Sequence, residues 1–280
     1  MRLQKQIDLQ TRIFELDWNR HITSRTYENF SLESRYKILA DLAYPVEKCI
    51  EENIQLIPLF TEVRFLDQQF SEVTLKVNTD AEFYSGGKIF WNHEIIGNSD
   101  KLCCTLKHKD KLVNSSGNPI SLEKSNLEDN EQQFENKIHL FSGTSSRLEH
   151  TFHLKFSDMN FFWTYPPSAI WKVFEEGRFL FFNEVIGISN IQSLGTTTFF
   201  MGGQIQYFKI PEPGSLIKLF SWIELVDKIR FYFRQDVEDT EGNLLLSMRD
   251  EQLFVSLSRS RPVRAPEKFL ELIDTYIENK

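Results

Sequence analysis

Twice in 280 residues the chain runs through the same order of events: a strand, one long helix, then a series of strands. Sliding one half over the other by 143 positions puts Glu33 on Glu176, Ser34 on Gly177 and Arg35 on Arg178. A helix followed by antiparallel strands cannot bury its own faces well, because the sheet covers only one side of the helix. Two such units set side by side solve that problem. The expected class is therefore α+β with a two-fold pseudo-symmetric interior and sites at the interface between the units.

In the first half the strand-like QIDLQTRIFELD leads to the helical YENFSLESRYKILADLAY, which Pro45 stops. Four strand candidates follow: IPLFTEVRFL, EVTLKVNTDAEFY, KIFWNHEIIG and KLCCTLKHKDKLV. Val73, Leu75 and Val77 show the period-two alternation of a half-buried strand. In the second half HTFHLKFSDMN precedes SAIWKVFEEGRFLFFNEV, where Ile170, Val173, Phe174, Gly177 and Phe181 share one helical face. A small residue at mid-helix in both copies places each helix close against a backbone or a ligand. Strands are expected over 196–210, 215–227, 228–239 and 243–260, and a short last helix opens at Pro266. Residues 113–137 are polar and aperiodic and read as a linker or mobile loop. The expected division is residues 1–113 as the N-terminal unit, 114–148 as the linker and 149–280 as the C-terminal unit.

Composition removes several function classes. The net charge is −8, and the one basic cluster is RSRPVR at 259–264, so nucleic acid is not expected as a partner. No apolar run approaches the roughly 20 residues of a membrane span, and no apolar core follows the first charged residues as in a signal peptide. Three Cys, two of them adjacent (Cys103 and Cys104), leave an odd count and point to a reducing, cytoplasmic setting without disulfides. Cys103 and Cys104 read as small buried hydrophobes. Twenty-five Phe against four Met imply an aromatic interior or an apolar ligand tunnel. The sequence has no G-x-S-x-G elbow, P-loop or G-x-G-x-x-G. His150 and His153 alternate to opposite faces of a strand, so no metal is expected, and nothing implies a cofactor.

The stretch LDWNRHITSRTY, residues 16–27, sets Asp17, Asn19 and His21 just ahead of the first helix. Asp and Asn are common caps at such positions whatever the function. Tyr27 follows His21 by six residues and Glu33 follows Tyr27 by six. This spacing resembles that of hotdog-fold thioesterases, in which a curved antiparallel sheet wraps a central helix. The resemblance is to the 4-hydroxybenzoyl-CoA and acyl-ACP thioesterase types, the latter with D-x-N-x-H, then Tyr, then Glu at these intervals. It covers nearly all of the chain outside the linker.

The resemblance implies two hotdog units and hydrolysis of an acyl-CoA or acyl carrier protein thioester. Asp17 would act as general base or nucleophile, Asn19 would hold a water or the carbonyl, and His21 would bond the carboxylate or share the proton. Thr23 and Ser24 would offer N–H groups to an oxyanion. Tyr27, Glu33 and Asp67 join the substrate-binding set. Arg20, Arg25 and Arg35 are candidates for a local basic patch that meets the carrier. Arg20 stands where the family often has Gly. In the second half, FSDMNFFWTYPP offers Asp158 and Asn160 without a matching His, and either residue can be aligned with Asp17. A hotdog hydratase or dehydratase, whose Asp-to-His step is usually five residues, and a non-catalytic acyl-binding protein are the alternatives. A tandem chain supplies its own pseudo-dimer, so a monomer or a homodimer of such pairs is expected.

Overall fold

The computed structural model describes residues 1–17, 20–97, 100–122, 134–187, 193–259 and 261–278. The chain forms two compact units, one of Met1–Asn136 with Met159–Trp171, the other of Lys137–Asp158 with Lys172–Lys280. The first unit is therefore completed by a piece of chain that follows the first strand of the second.

Unit 1 contains β1 (Arg2–Gln10), α1 (Ser24–Asp41), α2 (Val46–Glu51), β2 (Gln55–Phe65), β3 (Thr74–Phe83), β4 (Lys88–Ile96) and β5 (Leu102–Val113). Its strands are antiparallel in the order β1-β3-β4-β5-β2. Unit 2 contains β6 (Leu148–His153), β7 (Thr196–Tyr207), β8 (Leu216–Asp227), β9 (Arg230–Glu238), β10 (Leu244–Ser256) and α4 (Glu267–Ile273). Its order, β6-β8-β9-β10-β7, is the same permutation. Helix α3 (Pro167–Phe181) starts in unit 1 and continues in unit 2 from Lys172.

Local chemistry explains the boundaries. Thr23 is extended (φ −69, ψ 153) and opens α1. Ala43 in the left-handed region (φ 67) and Pro45 end it, a common helix stop. Pro45 then becomes the N-cap of α2, a short helix absent from the sequence reading. The strand expected over 6–17 begins instead at Arg2 and ends at Gln10, and Ile13–Glu15 make a 3-10 turn. The ends of the expected linker are held by packing. Ile120 N–H donates to the Leu112 carbonyl, and Phe134 lies 5.3 Å from the Phe90 ring and 5.2 Å from Phe60.

Six of the 25 Phe gather in the core of unit 2. Phe181, Phe182, Phe231, Phe233, Phe254 and Phe269 pack there as edge-on, tilted and stacked rings, with Phe181–Phe233 at 5.0 Å and Phe254–Phe269 at 4.8 Å. Such pairs add about 0.5–1.5 kcal/mol each beyond the area they bury.

The mid-helix small residues have distinct partners. Ser34 Oγ lies 2.7 Å from Thr79 Oγ1 on β3. A Cβ on Gly177 would collide with Leu219 on β8 and Gln235 on β9. Gly177→Ala should therefore lower stability by about 1–3 kcal/mol, the usual cost of overpacking, read as a fall in the thermal midpoint. Relief of helical Gly entropy works in the opposite direction by about 1 kcal/mol, so a midpoint unchanged or raised would refute the close packing.

Candidate functional site

Asp17 and His21 close a tight turn that delivers the chain into α1. Asp17 N–H donates to the His21 carbonyl (2.8 Å), Arg20 N–H to the Asp17 carbonyl (2.9 Å), and His21 N–H to Asp17 Oδ1 (3.0 Å). Asn19 lies outside the described residues. The His21 ring meets Phe70 edge-on at 5.6 Å. Ile22 N–H donates to the Gln69 carbonyl (3.0 Å), which ties the β2–β3 connection to this turn.

The same turn occurs in the second copy, and it resolves the alignment. Asn160 N–H donates to the Thr164 carbonyl (2.9 Å) and Trp163 N–H to the Asn160 carbonyl (3.1 Å), while Asn160 Oδ1 accepts from Thr164 N–H (3.3 Å). Asn160 is 143 residues after Asp17, Thr164 is 143 after His21, and Trp163 is 143 after Arg20. Asp158 is not the counterpart of Asp17; it ion-pairs with Lys172 at 2.8 Å. An amide oxygen thus makes this turn as well as a carboxylate does, so turn geometry does not explain the acid at 17.

Arg20 has φ 68, a conformation that costs most L-residues about 1–2 kcal/mol. This is why a glycine suits the position. Arg20→Gly should raise stability by about 0.5–1 kcal/mol, the released strain less the added flexibility of the unfolded chain. A calorimetric midpoint that falls would contradict it.

The remaining sequence candidates scatter. Thr23 N–H donates to the Glu15 carbonyl (3.0 Å), so it is not an oxyanion donor. Tyr27 is buried, edge-on to Phe65 at 5.2 Å and hydrogen-bonded to the Cys103 thiol, and burial pushes its pKa up. Asp67 pairs with Lys101 at 3.0 Å near the surface, and its charge is felt at Tyr27 and Cys103. Glu33 is exposed. Arg35 is not part of a basic patch: it is fully buried and bonded to two acids.

Those acids belong to a charged cluster that the sequence reading missed. Arg35 Nη2 donates to Glu28 Oε1 (2.6 Å) and Nη1 to Asp110 Oδ2 (2.7 Å). Glu28 Oε2 lies 3.0 Å from His108 Nε2 and 3.3 Å from the Trp171 indole Nε1. Thr79 Oγ1 lies 2.7 Å from His93 Nδ1, and the His93 and His108 rings meet at 5.2 Å. Glu28, Arg35, His93, His108 and Asp110 are all inaccessible to solvent. Burial alone would raise the Glu28 carboxyl, but His108, Arg35 and the indole N–H hold it at about 2. Burial, with His108 and Arg35 nearby, drives His93 well below the usual range and keeps it neutral. For Asp110 burial prevails over Arg35 and its pKa is raised.

Because the folded Glu28 keeps its charge down to about pH 2 while the unfolded one protonates near 4.5, it stabilises the protein above pH 4.5. That contribution is lost as pH falls between those values. The stability difference between wild type and Glu28→Gln should therefore be largest at neutral pH and shrink through this window. A difference that stays constant from pH 7 to pH 2.5 would refute the ionised pair.

The polar layer is itself duplicated. Thr79 pairs across the ladder with His93, and Ser221 with Gln235, each 142 residues on. The same 142-residue step takes His108 to Asp250 and Asp110 to Gln252, and the 143-residue helix step takes Arg35 to Arg178 and Glu28 to Trp171. Arg178 Nη1 indeed reaches Asp250 Oδ2 at 3.5 Å, and burial pushes the Asp250 carboxyl up to about 6.

Three solved structures share this architecture. A protein assigned as an oleoyl thioesterase from Lactobacillus plantarum superposes with a TM-score of 0.72 at 8% identity, over 90% of this chain and 96% of its own. An acyl-ACP thioesterase from Bacteroides thetaiotaomicron gives 0.66 at 16% identity, covering 90% and 97%. The 12:0-ACP thioesterase from Umbellularia californica gives 0.65 at 9% identity, covering 90% and 94%. The fold is a double hotdog. No family model and no curated protein sequence matches the chain.

Within this double hotdog the first α1 junction keeps an acid and an imidazole where the second has Asn160 and Thr164. The signal for the hidden cluster is present but needs register. Glu28, Ser31 and Arg35 recur at helical spacing on the buried face of α1, and His108 and Asp110 alternate on β5. Polar residues at core-facing positions are the mark of a buried network.

Proposed function

We propose that this chain hydrolyses an acyl thioester carried by CoA or acyl carrier protein, with Asp17 as the working acid. The observation that carries the reading is the contrast between the two copies of one turn. Both copies make the same backbone hydrogen bonds, yet only the first closes the turn with a carboxylate. The fold it shares with thioesterase structures supports the choice of chemistry.

In this reading water adds to the thioester carbonyl while Asp17 takes its proton. The negative oxygen that forms is stabilised by the positive end of the α1 dipole. The C–S bond then breaks, and the proton passes through His21 to the departing thiolate, releasing acid and thiol. Asn19 holds the water or the carbonyl. The three thiols, all buried and free of disulfides, support a reducing cytoplasmic setting.

The test is a free-thiol assay on acyl-CoA and acyl-ACP panels from short to long chain, with wild type and Asp17→Asn. Thiol release by the wild type that Asp17→Asn suppresses supports the reading. No release from any substrate, or release indifferent to the substitution, overturns it. Loss of enoyl absorbance from a trans-2-enoyl-CoA would reassign the site to hydration.

A further inference from the structure

Phe70, on the β2–β3 connection, is 52% exposed, yet its backbone is fixed from both sides. Thr11, itself buried, donates its hydroxyl to the Phe70 carbonyl (2.7 Å) and accepts from Val73 N–H (2.9 Å). The Gln69 carbonyl takes Ile22 N–H. A large apolar ring left half in water adds little to a core. What this ring meets instead is the imidazole of His21, edge-on at 5.6 Å, inside the range over which aromatic pairs attract. Among the described residues no hydrogen bond or ion pair holds that imidazole, for His21 is tied to Asp17 through its main chain only.

We propose that Phe70 is a positioning residue that fixes the rotamer of His21. The inference rests on the hydrolase reading, in which His21 passes a proton to the departing thiolate. An unbonded imidazole is shared among staggered χ1 wells, and these aim its ring nitrogens in different directions. A contact of this kind shifts such a distribution about two- to tenfold. Because the Phe70 carbonyl is bonded to Thr11 and its neighbour Gln69 to Ile22, the ring stands on a fixed Cα beside the His21 turn.

The second copy supports the pairing. Its β7–β8 connection is anchored in the same way: Leu154 N–H donates to the Ser215 carbonyl (3.0 Å) as Thr11 N–H does to that of Val73 (2.9 Å). Leu154 is 143 residues after Thr11, and Ser215 is 142 after Val73. By the same steps His21 falls on Thr164 and Phe70 on Glu212, an exposed residue paired with Lys209 at 3.3 Å. Leu154 also lacks the hydroxyl that holds Phe70. Imidazole, ring and hydroxyl are thus present together in one copy and absent together from the other, on an anchor that both share.

The test uses the full chain with Phe70→Leu, Phe70→Tyr and His21→Asn. In Phe70→Leu the ring-proton NMR signals of His21, assigned by their loss in His21→Asn, should move. Its turnover of the best-hydrolysed thioester of the panel should fall about two- to tenfold, at unchanged KM and thermal midpoint. Phe70→Tyr, which keeps the ring, should restore both readings. In the His21→Asn background Phe70→Leu should cost nothing further, because the two side chains act as one unit. Should Phe70→Leu lower the midpoint, this cycle still decides, since a purely structural loss is the same in both backgrounds. Unmoved His21 signals, unimpaired turnover, a loss carried by KM, or an equal loss in the His21→Asn background overturns the inference while the hydrolase reading stands. A wild type that releases no thiol from any acyl-CoA or acyl-ACP overturns the hydrolase reading, and this role with it.

Discussion

Arg35→Met should cost about 3–5 kcal/mol of stability, the penalty for leaving buried charges without their partner. The substitution keeps the length of the side chain and its apolar stem, so the loss isolates the guanidinium. It leaves Glu28 with His108 and Trp171 only, and it leaves Asp110 without a cation in contact. Asp110 already tends toward its neutral form, so part of the loss is recovered when it takes up a proton. The variant should therefore unfold at markedly lower urea concentration at pH 7, and the gap to wild type should narrow in acid. Replacing the cluster jointly (Glu28→Leu, Arg35→Met, Asp110→Val) should cost less than the sum of its parts, because no charge is then left buried alone. A single Arg35→Met variant within about 1 kcal/mol of wild type would show that solvent reaches the cluster.

Asp17→Asn should lower turnover by about 10²–10⁴-fold, the range for removal of a positioned base, with little change in stability. Asn160 is the internal control for this expectation, since it closes the equivalent turn through the same side-chain oxygen. A loss of activity in Asp17→Asn therefore reports chemistry, whereas Asp17→Ala also removes the acceptor for His21 N–H. Comparing the two by thermal midpoint and thiol release separates the roles. Equal midpoints for wild type and Asp17→Asn, with turnover lost, are the decisive pair of readings.

Much of the architecture was legible because it rests on periodicity and punctuation. The repeat, every strand, both long helices and the stop at Pro45 follow from patterns of two and three and a half residues and from residues that break them. The site was legible only where it is local in sequence. Asp17 and His21, the candidates, lie within one turn, and the resemblance that singles them out rests on their spacing. Glu28, Arg35 and Asp110 meet across tens of residues, and nothing local marks Glu28 as the buried glutamate in place of Glu33. Arg35 looked like surface charge because a lone Arg on a helix usually is. Its burial follows from facing acids on both α1 and β5, a relation fixed by strand register. The alignment of Asp17 with Asn160 likewise rests on matching hydrogen bonds in the two turns, which local sequence does not mark.

Trp171 bears on how this protein comes off the ribosome. The indole that closes the Glu28 cluster belongs to the first unit in space, yet it is translated after β6 of the second. Domains fold as they emerge, N-terminal first, but here the first cannot be finished when its own five strands have left the exit tunnel. The nascent chain must extend through residue 171 before Glu28 has all of its partners. Synthesis of the second half is thus a condition for completing the first, and a ribosome stalled within the intervening stretch would carry an acid buried without its full set of partners.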